Sequence, residues 1–500
     1  MFRLKHLLID TLREHVVTIH EQAVRNGNLG FNPLDRVRVF GVDSAGKERE
    51  ITGVLNFARD AVVSPEEIGV SDEAFHDLGL PEKAEVSASL SVAPRSVDLV
   101  RGKLTGARLD RAGFRAILAD VAARRYSRVE LAMFVLACAL KRLDLAELVD
   151  YTHAMIETGQ RLDFGTTLIV DKHCIGGIPG NRTTMIVVPI VAALGLTIPK
   201  TSSRAITSPA GTADTMGVLA DVALSTERIH EVVRATGGCI VWGGSLELAP
   251  AEDVLITVER PMELDTEAQM VASILAKKKT VGATHVLIDI PVGRSAKVRT
   301  YAAAEQLANL FRAVAQHIDV HLEVAMTEAR APVGRGIGPR LEALDVLAVL
   351  RGEPNAPQDL REKALFIASR ILEISGKIAP TMGYREARRI LDSGEALRKF
   401  SEIVAAQGAR ELPPQAPYVH VVTSQADGRI RDVDCWEIAR VAKRAGAPAN
   451  VSAGVKMLKT AGDILSKDEP LFEIHACSAE QLESATDYAS SRPHIFAIGF

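Results

Sequence analysis

A glycine-rich segment at residues 171–184 has the composition of an anion-binding loop. It reads Asp171-Lys-His-Cys-Ile-Gly-Gly-Ile-Pro-Gly-Asn-Arg-Thr-Thr184, and it lies between a β-branched run ending at Val170 and an apolar helical pattern. Glycines let backbone N–H groups approach a phosphate, and the helix N-terminus adds partial positive charge. Lys172 adds a full charge, and Thr183 and Thr184 add hydroxyl donors. The spacing fits neither GxxxxGK[ST] nor GxGxxG, so a tight turn with a surface Asp171/Lys172 pair is an equally good interpretation.

A second polar segment, residues 202–214, follows the next predicted strand. It is rich in hydroxyl groups and contains one guanidinium, from Ser203, Arg204, Thr207, Ser208 and Thr212. Because parallel strands end at the same edge of a sheet, we expect both segments to converge there. Such a wall suits a phosphate or a sugar. Alone, the segment is more typical of a Ser/Thr-rich turn that caps a helix.

A predicted helix at residues 265–280 carries a polar stripe. Asp265, Gln269, Ser273 and Lys277 recur every four residues, so they share one face. Such a line of groups can form hydrogen bonds with the edge of a heterocycle, or it can place an acid beside the ring. Helix capping by Asp265, or by Thr266 with Gln269, explains the same residues and is favoured by the spacing alone. Lys297, after the strand that ends near Ile290, is a weaker candidate for the same sheet edge.

The composition of the 500 residues excludes several protein classes. Lys and Arg total 59 and Asp and Glu total 63, for a net charge of −4, so we expect neither a nucleic acid nor a membrane as partner. The five cysteines lie far apart without metal-ligand spacing, which predicts no disulfide framework, no metal site and a cytoplasmic location. The longest apolar stretch, residues 185–199, is too short to span a bilayer.

The patterning predicts an α/β fold combined with α+β parts. Between residues 165 and 410, β-branched runs alternate with helical patterns, which is typical of a largely parallel sheet. We therefore expect an N-terminal α+β extension (1–88), a small helical domain (95–164), an α/β phosphate-binding domain (165–410) and a C-terminal α+β domain (418–500). In the last, Asp427-Gly428 predicts a hairpin turn and Asp434 a helix start.

Three spaced motifs, taken together, resemble the thymidine/pyrimidine-nucleoside phosphorylase family over residues 96–500. They are DKHCIGG with TT, SSRAITSPAGTADTM, and ASILAKK followed by VLIDIPVG. The N-terminal extension and the strings PGNRTT and SRAITS resemble its longer branch, which includes archaeal AMP phosphorylases and bacterial thymidine phosphorylases. The resemblance implies that the small helical domain, with helix 265–280, faces the larger α/β domain across a cleft. It also implies a homodimer or larger homo-oligomer.

The implied reaction is phosphorolysis, in which phosphate attacks the anomeric carbon of a nucleoside and the base leaves. No metal or organic cofactor is required, since inorganic phosphate is a substrate. Asp265 matches a proposed proton donor and His173 a base-contacting position, and these two are the expected catalytic residues. The expected phosphate- and substrate-binding residues are Lys172, Gly177, Thr184, Ser203, Arg204, Ala205, Ile206, Thr207, Ser208, Thr212, Ser273, Lys277 and Lys297.

Two substrates fit the resemblance. The leading hypothesis is conversion of thymidine and phosphate to thymine and 2-deoxyribose 1-phosphate. The alternative is a nucleoside 5′-monophosphate phosphorylase that makes ribose 1,5-bisphosphate from AMP. Cys174 stands where short-branch enzymes have a phosphate-binding serine, and Val258 where they have a pyrimidine-contacting arginine.

A biotinyl-type carrier is disfavoured because Lys456 lies too close to its Gly-Asp turn, and a non-catalytic nucleotide-binding protein remains a further hypothesis.

Overall fold

Residues 1–90 contain the six strands of a closed β-barrel. Its elements are β1 (Phe2–His6), β2 (Val16–His20), α1 (Glu21–Gly27), β3 (Arg36–Val42), β4 (Glu48–Ala58), β5 (Glu67–Val70), α2 (Asp72–Leu78) and β6 (Glu85–Leu90). The order around the barrel is β1-β5-β2-β4-β3-β6. Val37 and Val39 of β3 are fully buried and the arginines beside them are not, as a two-residue period requires. The computed structural model describes residues 1–12, 14–27, 30–205, 208–246, 248–264 and 266–499.

Four helices follow the barrel, and the last three begin at a side-chain cap. They are α3 (Ser96–Leu104), α4 (Arg111–Ala122), α5 (Arg128–Leu140) and α6 (Leu145–Thr158). The side chains of Asp110, Ser127 and Asp144 each accept a backbone N–H bond from the first turn of α4, α5 and α6, respectively. These caps satisfy donors that the helices cannot satisfy internally, which explains where each helix begins.

Parallel strands and crossover helices occupy the middle of the chain. Strands β7, β10 and β11 pair in parallel, β8 pairs in parallel with β9, and a parallel bridge joins Ile169 to Thr197 just before β7 and β8. The expected mixed α/β fold is therefore confirmed. The elements are β7 (Val170–Cys174), α7 (Thr183–Ala193), β8 (Ile198–Ser202), α8 (Thr212–Gly217), α9 (Thr226–Thr236), β9 (Gly238–Trp242), α10 (Pro250–Met262), α11 (Glu267–Thr280), β10 (His285–Val292), α12 (Tyr301–His317), β11 (His321–Glu328), β12 (Gly336–Ile337), α13 (Pro339–Arg351), α14 (Gln358–Ile374), α15 (Gly383–Asp392) and α16 (Glu395–Gln407).

One strand lies later in the chain than its apolar pattern indicates. The sequence predicts a strand ending at Val170, but β7 begins there and continues through Asp171, Lys172 and His173 to Cys174. Asp171, Lys172 and His173 are charged or polar, so the apolar pattern of the sequence does not predict that they belong to the strand. Pairing with β10 holds this segment extended, with Asp171 beside Val286 and His173 beside Ile288. Lys172 and His173 therefore lie in a strand rather than in a loop.

The C-terminal part contains two antiparallel sheets. Its elements are β13 (Tyr418–Thr423), β14 (Gly428–Val433), α17 (Cys435–Arg444), β15 (Gly454–Met457), β16 (Ile464–Leu465), β17 (Pro470–Ala476), α18 (Ala479–Ser490) and β18 (Phe496–Gly499). The sheet orders are β12-β15-β17-β13 and β16-β14-β18. The predicted Asp427-Gly428 hairpin is wrong, because β13 and β14 take partners from later in the chain and belong to different sheets. The helix start is confirmed, since Asp434 caps α17.

The chain divides into two compact units. One contains Met1–Gly159 and Ala249–Ala276, and the other contains Gln160–Leu248 and Lys277–Phe500. Helix α10 belongs to the first unit, and the division passes through α11. The four domain boundaries expected from the sequence remain predictions. Within the described ranges, no helix is both long and apolar enough to cross a membrane.

A buried ion pair stabilises the helices of the first unit. Lys103 donates to Glu147 Oε1 at 2.5 Å, and the same oxygen accepts the Leu109 N–H at 3.0 Å. Both side chains are at most 5% exposed. We predict that Lys103→Met lowers the free energy of unfolding by about 3–5 kcal/mol, because it leaves a buried carboxylate without its counter-ion. Chemical denaturation of the full chain measures this loss.

Arg101→Met is the matched control, because Arg101 pairs with Asp98 at the surface, where both side chains are mostly exposed. Exposed pairs contribute little, so this variant should unfold like the wild type. Equal denaturation midpoints for the Lys103 and Arg101 variants would contradict the buried-pair account.

Candidate functional site

The carboxylate of Asp171 is fully buried among ammonium groups. Its Oδ2 accepts from Lys278 Nζ at 2.7 Å, and Lys200 Nζ lies 3.8 Å from its Oδ1. Lys278 is at the C-terminal end of α11 and Lys200 is in β8, so this carboxylate joins β7 to two other elements of the same unit. Burial lowers the pKa of Lys200 well below its usual value, and the neighbouring Lys278 lowers it further. Asp171 thus holds together a region in which positive charge is crowded.

Lys172 occupies the other side of the strand. It is fully buried and its Nζ donates to Thr183 Oγ1 at 3.0 Å, at the start of α7. Burial lowers the pKa of Lys172, and the buried carboxylate of Asp289 partly opposes that shift. Asp289 is itself paired with Lys363 at 3.2 Å. The alternative interpretation of Lys172 as half of a surface pair is therefore wrong, because its ammonium group is buried and contacts the helix that follows the glycine segment.

This part of the unit contains more lysines than carboxylates. Four lysines surround two carboxylates in the network just described: Lys172, Lys200, Lys278 and Lys363 with Asp171 and Asp289. Four ammonium groups beside two carboxylates would leave uncompensated charge in a buried region, so burial lowers the pKa of Lys172 and Lys200, and an additional anion would favour their protonated forms. The arrangement therefore favours binding of an anion.

The imidazole of His173 faces this positive charge. Burial lowers its pKa well below the usual value, and the ammonium groups of Lys278, Lys200, Lys277 and Lys172 add to the effect. The ring is consequently neutral at physiological pH. A neutral imidazole can still donate one hydrogen bond and accept another, depending on its tautomer.

The glycines after β7 allow other backbone segments to approach closely. Gly177 has a φ of +90°, and a Cβ at this position would lie 2.6 Å from the backbone N of Lys297. At Gly180, where φ is +71°, a Cβ would lie 2.2 Å from the carbonyl oxygen of Val333. Glycine is therefore required here by packing against neighbouring segments, independently of any ligand. The same contact places the Lys297 backbone beside the glycine segment, while the predicted contact of the Lys297 side chain with a ligand remains a prediction.

Arg182 joins the two candidate loops. Its guanidinium donates to Thr212 Oγ1 and to the carbonyl of Ala210, both at 2.9 Å, and it pairs with the buried Glu342. Glu342 also accepts from Thr215 Oγ1 at 2.7 Å. One arginine from the first loop thus fixes the second loop, so the expected convergence of the two segments is confirmed.

The remaining residues of the second loop are held by their own chain. Asp214 Oδ2 accepts the backbone N–H groups of Ala205 at 2.6 Å and Gly211 at 2.8 Å. The Ser208 hydroxyl donates to the carbonyl of Ala210. Ser203 directly follows β8, and Thr184 is buried in the first turn of α7. Ile206 and Thr207 lie outside the described residues.

Arg204 contacts an aromatic ring rather than a carboxylate. Its guanidinium carbon lies 4.6 Å from the ring centroid of Trp242, the last residue of β9. Within the described ranges, no acidic side chain forms an ion pair with Arg204. A guanidinium supported in this way keeps its N–H donors available for an anionic group.

The polar stripe of α11 is only partly described, since Asp265 lies outside the described residues. Thr266 Oγ1 accepts the Gln269 N–H at 3.2 Å, so Thr266 caps the helix. The Ser273 hydroxyl donates to Glu252 of α10, and Gln269 Nε2 donates to Glu259 of the same helix at 3.0 Å. Lys277 lies one turn after Ser273, and its charge acts on His173. The capping interpretation is thus confirmed for Thr266, while the roles of Asp265, Ser273 and Lys277 remain predictions.

Sequence reasoning missed the residues that support these loops. The motifs indicate for Asp171 no more than the alternative of a surface pair with Lys172, and they indicate no role for Lys200, Lys278, Arg182 or Glu342. A charged residue inside a β-branched strand, such as Lys200 in Ile198–Ser202, was the available signal. Such a residue needs a buried partner. The local sequence does not identify that partner, because the two residues lie far apart in the chain.

Comparisons with known proteins match most of the chain. Residues 166–397 match the family model described as "Glycosyl transferase family, a/b domain", and residues 429–495 match "Pyrimidine nucleoside phosphorylase C-terminal domain". A protein of Acidovorax sp. named "Putative thymidine phosphorylase 1" is 48% identical over 98% of this chain and 95% of its own length. A Methylococcus capsulatus protein named "Putative thymidine phosphorylase" is 45% identical over 98% of this chain and 94% of its own.

One solved structure shows that the fold recurs in a more distant protein. Anthranilate phosphoribosyltransferase from Thermus thermophilus aligns with a TM-score of 0.53 at 19% identity, over 62% of this chain and 99% of its own. At this identity the likeness concerns the fold alone.

The carboxyl group of Glu342 should make stability depend on pH. Burial raises its pKa to about 7 from the usual 4.5, against the opposing effect of Arg182. Between these pH values the folded protein binds more protons than the unfolded chain, so stability falls as pH rises through this window, by at most about 3 kcal/mol. Glu342→Gln cannot titrate and should lose this dependence. The thermal unfolding temperatures of wild type and variant, compared from pH 4.5 to 8, measure the effect.

Glu402→Gln serves as control, because Glu402 is a surface residue paired with Lys399. Its unfolding temperature should follow that of the wild type at every pH. If the difference between wild type and Glu342→Gln were the same at pH 4.5 and pH 8, Glu342 would not titrate in this window.

Proposed function

Because the chain belongs to the thymidine and pyrimidine-nucleoside phosphorylase family, we propose that it cleaves the glycosidic bond of a nucleoside with inorganic phosphate. Thymidine is the proposed substrate, with thymine and 2-deoxyribose 1-phosphate as products. The relatives that carry the name thymidine phosphorylase extend over nearly the whole chain. The observation that carries the proposal is the excess of buried ammonium groups behind the glycine segment, which a phosphate dianion would neutralise.

The proposed phosphate site combines this charge with backbone donors. Lys172 and Thr183 fix the start of α7, whose N-terminus carries partial positive charge. Gly177 lies on the first segment, where it packs against the Lys297 backbone. Thr212 lies on the second segment, where it accepts a hydrogen bond from Arg182. A nucleophile that is fixed before reaction loses less entropy on the way to the transition state. No metal or organic cofactor takes part in this proposal.

The leaving base needs a proton or a hydrogen bond as negative charge develops on it. His173 is neutral, so it is proposed to contact the base through a hydrogen bond rather than to supply a charge. Asp265 is proposed as the proton donor. Ser273 and Lys277 are proposed to contact the base, with the Ser273 hydroxyl oriented by Glu252. Such donors accelerate the reaction to the extent that they stabilise the departing base more than the bound substrate.

A nucleoside 5′-monophosphate such as AMP is the second candidate substrate. The specific observation in its favour is Arg204, whose guanidinium rests on Trp242 without an acidic partner among the described residues. An arginine at the edge of a nucleoside site is well suited to a 5′-phosphate. The product would then be ribose 1,5-bisphosphate.

The cellular setting is also part of the proposal. All five cysteines are free thiols, which supports a reducing cytoplasm. A homodimer or larger homo-oligomer is proposed from the family resemblance.

Release of free base tests the proposal and separates the two substrates. Purified wild type is incubated with thymidine, uridine or AMP, each with and without phosphate, and the free base is quantified. We expect phosphate-dependent release from thymidine or uridine. Release from AMP alone would instead establish the nucleotide reaction, and the absence of release from all three would contradict phosphorolysis of these substrates.

The variant Arg204→Gln tests whether Arg204 binds the 5′-phosphate of AMP, a group that thymidine lacks. If Arg204 binds a 5′-phosphate, the KM for AMP should rise at least about tenfold, since a charge-assisted hydrogen bond is lost. Turnover of thymidine should be nearly unchanged. Arg228→Gln is the matched control, because Arg228 is a half-exposed arginine of α9 that pairs with Glu231. An equal effect on AMP and thymidine would exclude a 5′-phosphate contact.

A further inference from the structure

Two histidines and an aspartate form a cluster at one edge of the N-terminal barrel. His6 Nε2 lies 2.7 Å from Asp72 Oδ1, and His76 Nε2 lies 3.7 Å from the same oxygen. One potential ligand atom from each of the three residues lies within 4.8 Å of the other two. His6 is mostly buried and His76 is mostly exposed, so the cluster opens to solvent on one side.

The barrel positions these side chains without help from a ligand. Strand β1 pairs in parallel with β5, with His6 beside Val70, so the two strands end at the same edge. Helix α2 begins two residues after Val70, and Asp72 and His76 lie one turn apart on one face. The ring of Phe75 stacks on His6 with centroids 4.2 Å apart and planes 5° from parallel. This stacking restricts the His6 ring while its Nε2 contacts Asp72.

The donor atoms lie close enough together to be brought around one transition-metal ion. Zinc binds histidine nitrogen at about 2.0–2.1 Å and carboxylate oxygen at about 2.0–2.2 Å, so two ligands of a tetrahedral ion lie about 3.4 Å apart. The His76–Asp72 separation of 3.7 Å is close to that value, whereas the His6–Asp72 contact of 2.7 Å is a hydrogen bond that would lengthen when both groups bind one ion. Two imidazoles and one carboxylate also suit zinc better than calcium or magnesium, which prefer oxygen ligands.

Two other histidine–aspartate pairs of the barrel provide an internal comparison. His15 contacts Asp77 at 2.8 Å, but Arg124 pairs with the same Asp77 oxygen and would repel a cation. His20 contacts Asp60 at 2.8 Å, and the described residues offer no third metal-ligating group there. Only the cluster around Asp72 combines three potential ligands within the described part of the barrel.

We propose that His6, Asp72 and His76 bind a divalent transition-metal ion, for which zinc is the test ion. Water would complete the coordination on the exposed side. The ion would connect the end of β1 to α2 and so stabilise the barrel, in a structural role that is independent of phosphorolysis. Spacing along the sequence did not indicate this site, because His6 is separated from Asp72 by 66 positions.

The test uses the full-length protein after removal of metal with a chelator. Zinc chloride is titrated in competition with a chromophoric chelator, and thermal unfolding is followed with and without zinc. We expect a zinc site whose dissociation constant rises at least about tenfold in His76→Ala and in Asp72→Asn, and which raises the unfolding temperature of the wild type by mass action. His76 is mostly exposed, so its variant should fold normally.

Asp60→Asn is the matched control, since it removes the carboxylate of a histidine–aspartate pair that lacks a third ligand. Its zinc affinity should equal that of the wild type. Cobalt spectra identify the ligands, because thiolate coordination gives intense charge-transfer bands and imidazole with carboxylate does not. The absence of zinc binding, equal affinity in wild type and His76→Ala, or a thiolate spectrum would each overturn the proposal.

Discussion

The candidate site depends on one buried carboxylate, that of Asp171. It is inaccessible to solvent, and it faces the ammonium groups of Lys278 and Lys200. Without it, buried lysines from β8 and α11 would face one another with no opposite charge. Removing one partner of a buried charge pair is costly, because the other is left uncompensated. Asp171 therefore helps to explain how β7, whose first three residues are buried, can carry three successive charged or polar residues.

The need to compensate buried positive charge also explains why the site would bind an anion. Asp171 and Asp289 do not balance the four lysines around them, so a dianion is the natural complement of the network. Arg182 and Glu342 have a different role, since they hold the two loops together. The glycines let the Lys297 and Val333 backbones approach the first loop. Charge and loop geometry are thus established by separate sets of residues, and both are present before any substrate binds.

Local patterns predicted much of this fold. Alternation of strands and helices predicted the α/β region, and Asp434 correctly marked the start of a helix. The two loops were expected to meet, and Arg182 joins them. These predictions succeeded because hydrophobic periodicity and helix caps act over a few residues.

The errors arose where distant residues determine structure. Strand β7 was placed too early because its polar residues are stabilised by partners more than 100 positions away, such as Lys278. The Asp427-Gly428 turn was assigned to a hairpin because a turn signal does not reveal which strands pair. The alternative interpretation of Asp171 and Lys172 as a surface pair is wrong, because both side chains are buried and Lys172 contacts Thr183. In each case the decisive energy comes from tertiary contacts that no local pattern contains.

The central claim is that the buried cationic network exists to bind phosphate, and calorimetry tests it directly. Phosphate is titrated into the wild-type protein at pH 8 in two buffers with different ionisation enthalpies. Burial lowers the pKa of Lys172 and Lys200, and a bound dianion should raise it again, so binding should take up protons from the buffer. Saturable binding with proton uptake is the predicted result. No saturable binding of phosphate, or binding with release of protons, would contradict the account.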